Sequence, residues 1–498
     1  MKRIVSTILT AVLCFSAVAQ VRSAVLRADE SEPLKSSVWG IIAVDGHGKT
    51  LADHNSMRRM LPASNMKLIT TGAALNELGG DYRFETKLAY SGNIIGEVLH
   101  GDVYIIGGGD PTLASDDSTA TPADKLFARW KFFLEKAGIK KIEGRIIGDG
   151  RLFSDEFENG SWEYDDLGTY YGAGTNGLTF YVNAQDFHAA PGTAVGEPAT
   201  VRPVYPSTPW MKFANYGITG PAGTGDNLYL FTNDIAPYSE MRGTFAIDRQ
   251  PRTEHCANKF PAMTCAYYFT EYLKARGTEV TGGYADIDRK GHIRSFTEHE
   301  EETAAESPEA LTVLGSTFSA ALSEIIRETN YRSDNIYAET LLRTLSLKRT
   351  GSAMYDSCHV AIFKAIDALG IKDKSGFSPM DGSGLSRQNY VSPAFMVEFL
   401  KAMQGSPEFH DYLMSLPSPG KGTLASLLRN ADPAVKSRIF IKSGSMGGVL
   451  CYSGYILASD GKPEDTIVFS LLTNNSTASI ATVRTSIEKI ILELARQN

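Results

Sequence analysis

The stretch RRMLPASNMKLITTGAAL, Arg58 to Leu75, decides how this chain is read. Within it, Ser64-Asn65-Met66-Lys67 places a serine three residues ahead of a lysine. Pro62 precedes a run of good helix formers with apolar Met66, Leu68, Ile69 and Leu75. The pattern predicts a helix that starts at or near Ser64 and ends at Gly79-Gly80. On a helix, residues i and i+3 share a face, so the Ser64 hydroxyl and the Lys67 amine can meet. Two readings stand: a serine N-cap followed by a lysine, or a nucleophile with its base. The same spacing recurs at Ser418-Pro419-Gly420-Lys421 and Ser486-Ile487-Glu488-Lys489. Pro-Gly is a turn and cannot open a regular helix, and Ser486 lies inside a terminal amphipathic segment. Only Ser64 opens a helix.

Two further motifs give the serine a context. Ser333-Asp334-Asn335 follows IIRETNYR at a loop or helix start, and Lys442-Ser443-Gly444 ends the apolar strand RIFIKSG. Ser91-Gly92-Asn93 in a Gly-Asn turn and Lys374-Ser375-Gly376 in a polar loop match the same short patterns in the wrong settings. Taken singly, each motif is more often a cap, a turn or a strand end than a catalytic element. In this order they form the S-x-x-K, S-x-N, K-S-G set of serine acyl-transfer sites. The chemistry needs these residue types. A serine hydroxyl is a weak nucleophile until a base takes its proton. Lys67 can be that base only when neutral, which requires burial or a nearby positive charge such as Lys442. Ser333 can relay a proton to a leaving amine, and the Asn335 amide can orient Lys67 and a substrate carbonyl. Lys442 and the Ser443 hydroxyl can hold a substrate carboxylate, and Gly444 lets a substrate backbone approach the strand. The N–H groups of Ser64 and Ser445 are the candidate oxyanion hole.

The remainder of the chain sets limits. It has 498 residues, room for several domains. A net charge of −8 excludes a nucleic-acid partner from the expectations, and no His/Cys spacing resembles a metal site, so no cofactor is expected. Lys2 and Arg3, an apolar core from Ile4 to Ala19 and the small residues Ala17-Val18-Ala19 predict a secretory signal peptide over 1–19, with a buried N-terminal helix as the alternative. Leu13 before Cys14 argues against a lipid anchor. Residues 20–36 read as a polar linker, and no later segment is long and apolar enough to span a membrane. A signal implies export, where a disulfide can form. Of Cys256, Cys265, Cys358 and Cys451, the pair Cys256–Cys265 is the first candidate, and four separate buried thiols are the alternative. Hairpin and helix patterns at 37–82, helices and strands from 305 to 498, and short strands with Gly and Asn turns between them predict an α/β domain. It is split by a mostly β insertion, 83–304, of two subdomains. The first and last strands of the split domain are expected to pair in one antiparallel sheet.

The chain resembles the low-molecular-mass class C penicillin-binding proteins of the penicillin-binding-protein-4 type. The resemblance rests on the three motifs, on the 269 positions between Ser64 and Ser333, and on GGGDPTL (107–113), MDGSGLSRQNYVSP (380–393) and IKSGSMGGVLCYSGYI (441–456). Class A β-lactamases have a far shorter gap. The resemblance covers nearly the whole mature chain. It implies a penicillin-binding α/β domain with domains inserted after the first motif. It also implies a periplasmic DD-carboxypeptidase and DD-endopeptidase that acts on peptidoglycan stem peptides and is acylated by β-lactams. A β-lactamase or esterase, or a wall-binding scaffold with an idle site, are the competing expectations. WEYDDLGTYYGA matches the family segment that receives the cationic end of diaminopimelate, which implies that role for Asp166, with Tyr171 lining the pocket and Asp165 as the neighbouring candidate. Serine replaces the commoner threonine at Ser443, keeping the hydroxyl, and Gly447 lacks a side chain that some relatives have.

Overall fold

The computed structural model describes residues 19–153, 156–296, 303–462 and 465–497. Except for Ala19, the expected signal peptide lies outside the described residues. The chain divides into two compact units, Met1–Asp81 with Leu322–Thr350 and Asp356–Asn498, and Tyr82–Ala321 with Gly351–Tyr355.

The first unit is built on five strands, β1 (Val38–Val44), β2 (Thr50–His54), β3 (Ile439–Met446), β4 (Val449–Ile456) and β5 (Ile467–Asn474). Their order is β2-β1-β5-β4-β3, antiparallel throughout. The first strand pairs with the last, Ile41 opposite Leu471, as expected of a split domain. Every residue of β4 and β5 is buried, so both faces of the sheet are covered. Its helices include α1 (19–29), α2 (Met66–Leu78), α3 (Asn335–Thr350), α4 (Pro393–Gln404) and α5 (Ile480–Ala495). Val21 and Val25 of α1 and Ile487 and Ile491 of α5 share one core with Trp39, Ile441 and Phe469. On the other face α4 lies on β1 and β5, and α2 packs against α3 and α4.

Three expectations are corrected. Residues 20–36 are not a linker, because 19–29 is helical and Val21, Ala24, Val25 and Ala28 fall at i, i+3, i+4 and i+7, burying one face in the core. Trp39 Nε1 also donates to Asp29 Oδ1 at 2.9 Å. The second boundary moves from 305 to Leu322, because Thr312–Phe318 is a strand paired with Glu85–Tyr90 in the inserted unit. Its β-branched and aromatic residues suit that pairing. Cys256 and Cys265 form no disulfide. All four described cysteines are buried, and these two belong to different hydrophobic clusters.

The inserted unit carries a seven-stranded sheet, with helices Ala123–Lys136 and Pro261–Lys274 in its principal core. A separate apolar cluster with Phe187, Met241 and Phe245 serves the smaller sheets around strands Ala184–Ala190 and Tyr238–Ala246.

Candidate active site

Ser64 sits in a one-turn 3-10 helix, Ala63–Asn65, that leads directly into α2. The expectation of a side-chain cap is not met: neither Pro62 nor Asn65 at the two cap positions makes a side-chain cap bond, and the Ser64 hydroxyl meets Lys67 instead. The turn is strained at Ala63, whose φ is +45°, a region non-glycine residues seldom occupy. The sheet holds it there. Asn474 Oδ1 accepts from Leu61 N at 2.7 Å while its Nδ2 donates to Leu61 O at 3.0 Å. Buried Asn65 donates through Nδ2 to Lys442 O at 2.9 Å. Gly444 completes the seat, since a Cβ there would stand 2.6 Å from Pro62 O and 2.9 Å from Ser64 N. The third motif thus needs glycine for the protein's own backbone, where the turn carrying Ser64 lies against β3.

Lys67 is fully buried. Its Nζ donates to Ser64 Oγ at 3.1 Å, Asn335 Oδ1 at 2.6 Å and Ser383 O at 2.8 Å. These three contacts use all the donors of an ammonium. Burial lowers its pKa to about 8, while Asp334, Asp381 and Glu339 act in the opposite sense. Lys442 is also fully buried, donating to Ser333 Oγ at 2.9 Å and Ser443 O at 2.7 Å. Burial, then the charge of Lys67, pushes Lys442 well below the ordinary lysine range. The sequence pointed to Lys442 as a source of the charge that lowers Lys67. In the structure burial is the principal cause, and the repulsion between the two lysines is felt at Lys442.

Ser333 closes a π-turn, Thr329–Ser333, with φ +63°, and the Asp334 carboxylate accepts from Tyr337 N at 3.0 Å as α3 begins. This corner puts Ser333 on Lys442 and Asn335 on Lys67. Ser443 donates through Oγ to Thr423 Oγ1 at 2.8 Å. Ser445 is exposed on β3, an edge strand, so its backbone is open to pairing with an extended ligand.

The structure therefore joins Ser64, Lys67 and Asn335 in one hydrogen-bonded group and Ser333 and Lys442 in another, the two lysines near enough for the charge of Lys67 to act on Lys442, with Ser443, Gly444 and Ser445 on the same strand as Lys442. Asp166 and Tyr171 belong to the inserted unit. There Asp166 is half-buried whereas Asp165 is exposed. Burial, then the Asp166 carboxylate, pushes the Tyr171 phenol up to about 12, so those two side chains are neighbours. Sequence reasoning missed Ser383, Asp381, Glu339 and Thr423. The segment 380–393 was noticed only as a resemblance, and a backbone carbonyl such as that of Ser383 carries no side-chain signature.

A serine hydrogen-bonded to a buried lysine, beside an antiparallel sheet covered by helices, is an arrangement that suits serine acyl transfer. Residues 21–495 match the D-Ala-D-Ala carboxypeptidase 3 (S13) family. A D-alanyl-D-alanine carboxypeptidase of Actinomadura sp. (strain R39) is 30% identical over 464 residues, which cover 89% of this chain and 79% of that protein. The crystal structure of penicillin-binding protein 4 (dacB) from Haemophilus influenzae superposes with a TM-score of 0.75 at 21% identity, covering 95% of this chain and 97% of the other. A predatory peptidoglycan endopeptidase from Bdellovibrio bacteriovorus superposes with a TM-score of 0.50 at 15% identity over 93% and 94% of the two chains. This chain belongs to the D-Ala-D-Ala carboxypeptidase 3 (S13) family and is a serine-type D-Ala-D-Ala carboxypeptidase.

Proposed function

We propose that Ser64 attacks the carbonyl of the penultimate D-Ala in a peptidoglycan stem peptide and forms an ester with it. The observation that carries this reading is the buried Lys67 amine, held by Asn335 and Ser383 at 3.1 Å from Ser64 Oγ. Neutral Lys67 takes the hydroxyl proton as the C–O bond forms, and the N–H groups of Ser64 and Ser445 receive the oxyanion. Lys442 and Ser333 return a proton to the departing amine, which is terminal D-Ala or the amine of a cross-link. Water then hydrolyses the ester and frees Ser64. The substrate carboxylate rests on Ser443 and Lys442. Its arrival favours the charged form of Lys442 and so, by mutual repulsion, the neutral form of Lys67. A β-lactam acylates the same serine. Asp166, with Tyr171 beside it, receives the cationic end of the diaminopimelate side chain. The enzyme works in the periplasm, in keeping with the basic and apolar N-terminus. No helix among the described residues is long and apolar enough to cross a membrane.

The test is a digest of purified muropeptides read by mass. Loss of a terminal D-Ala and cleavage of cross-linked dimers are the expected products, and their absence would sink the assignment. A second measurement concerns protons. Below pH 8 the Lys67 ammonium has no lone pair to accept the Ser64 proton. The neutral fraction falls about tenfold for each pH unit further down. Acylation by a penicillin therefore rises with pH and levels off above 8. A rate that is flat or falling through this range contradicts the base role of Lys67. The third prediction concerns Asp166→Asn, which removes the half-buried charge and keeps the shape. Turnover of diaminopimelate peptides is expected to fall by roughly two- to fivefold, the worth of one partly exposed ion pair of about 0.5–1 kcal/mol. Turnover of an analogue with a neutral side chain stays unchanged. Equal losses on both substrates would remove Asp166 from the pocket.

A further inference from the structure

We propose that Glu339 is a positioning residue for Lys67: it anchors the turn 381–386 so that Ser383 presents its carbonyl to Nζ, and its charge sets how firmly Lys67 holds its proton. This inference rests on the reading of Lys67 as base. Glu339 follows Asn335 by one turn of α3 and so shares its face. It is fully buried. Its Oε1 accepts from Gly382 N at 3.0 Å and Ser383 N at 2.7 Å, and its Oε2 from Gly382 N at 3.1 Å. Asp381, also fully buried, folds the rest of the turn, accepting from Gly384 N at 2.7 Å, Ser386 N at 2.6 Å and Asn389 Nδ2 at 2.7 Å. From α2, Thr70 Oγ1 donates to Gly382 O at 2.7 Å. Gly384, at φ +85°, lies so close to the nucleophile turn that a Cβ would stand 1.8 Å from Ala63 O. The turn is thus pinned from α2, α3 and the nucleophile turn, and its Ser383 carbonyl takes one of the three Lys67 donors.

Two carboxylates buried side by side repel each other and cost stability, which suits a functional role better than a purely structural one. Asp381 in the turn is the charge that acts on Glu339, while Asp334 ahead of α3 acts with Asp381 and Glu339 on Lys67 of α2, and Lys67 acts on Lys442 of β3; buried Arg343 lies one turn further along α3. Burial, then Asp381, raises the Glu339 carboxyl to about 7, against the bonds it accepts from Ser383 and Gly382. Glu339 in turn acts to raise Lys67. The carboxylate therefore favours the ammonium, and its removal favours the amine.

The experiment is the pH profile of acylation by a penicillin in the full-length enzyme carrying Glu339→Gln. Glutamine keeps the volume and one acceptor oxygen but not the charge. The inflection is expected to move toward lower pH by on the order of one unit, with a several-fold lower plateau as the turn loosens. Thr70→Val removes the other anchor of Gly382 without touching charge, so it lowers the plateau and leaves the inflection in place. A Glu339→Gln inflection at the wild-type pH overturns the charge role, even with a lower melting temperature, because a merely structural residue moves only the latter. If Glu339→Gln does not fold, Thr70→Val decides: acylation at the wild-type rate means the position of the turn is irrelevant and the inference is wrong. A wild-type profile with no inflection would instead count against Lys67 as base, which keeps the two failures apart.

Discussion

Replacing Ser64 with alanine abolishes covalent labelling by a fluorescent penicillin, with acylation falling on the order of 10⁴-fold or more, as for other serine nucleophiles. The substitution removes one oxygen from a half-buried position and leaves the strained turn held by Leu61, Asn65 and Gly444. Lys67 keeps its bonds to Asn335 and Ser383. Melting temperature should therefore stay close to wild type, so lost labelling reports lost chemistry. The wild-type protein separates the competing expectations. A penicillin-binding peptidase retains the label for minutes or longer, a β-lactamase sheds it within seconds, and an idle scaffold never acquires it. Persistent label on Ser64→Ala would place the nucleophile elsewhere.

The parts legible in the sequence share one property: their meaning lies in side chains at short, regular spacing. Ser64 and Lys67 announce themselves because a helix brings i and i+3 together. Lys442 does so because it ends an apolar strand. The pairing of β1 with β5 followed from finding unfinished α/β patterns at both ends of the chain. What escaped depends on distant partners or on backbone. The strand Thr312–Phe318 acquires its identity from Glu85–Tyr90, more than two hundred residues away. The periodicity of α1 was obscured by Arg22 and Arg27 on its outer face and by Asp29 and Glu30 at its C-terminal end. Cys256 and Cys265 are near in sequence, yet one belongs to a strand and the other to a helix, each turned into its own core. Glu339 looks like an ordinary polar position of a helix until the turn 381–386 folds over it. An acid one turn after Asn335 and one turn before Arg343, on the same face of α3, was the available signal.

Lys67→Arg is expected to lower acylation by about 10²–10⁴-fold, the typical worth of general base catalysis, and to leave the remaining activity without an inflection near pH 8. The argument turns on which way the proton lies between Nζ and Oγ. As an ammonium, Lys67 has three N–H bonds directed at Ser64, Asn335 and Ser383 and no lone pair. As an amine it retains two donors, enough for the carbonyl oxygens of Asn335 and Ser383, and its lone pair then faces the Ser64 hydroxyl. The bond across 3.1 Å reverses, with Oγ donating to Nζ, and proton transfer accompanies attack. Arginine keeps the charge and the donors but cannot shed a proton in this pH range. It thus preserves the electrostatics of the site while removing the base. Lys67→Met removes charge and donors together, leaving the buried oxygens of Asn335 and Ser383 without Nζ, and is expected to lose melting temperature as well as activity. A Lys67→Arg enzyme that acylates at the wild-type rate would show that Lys67 only orients Ser64. The base would then have to be sought at the neighbouring pair Lys442 and Ser333, which stand 2.9 Å apart.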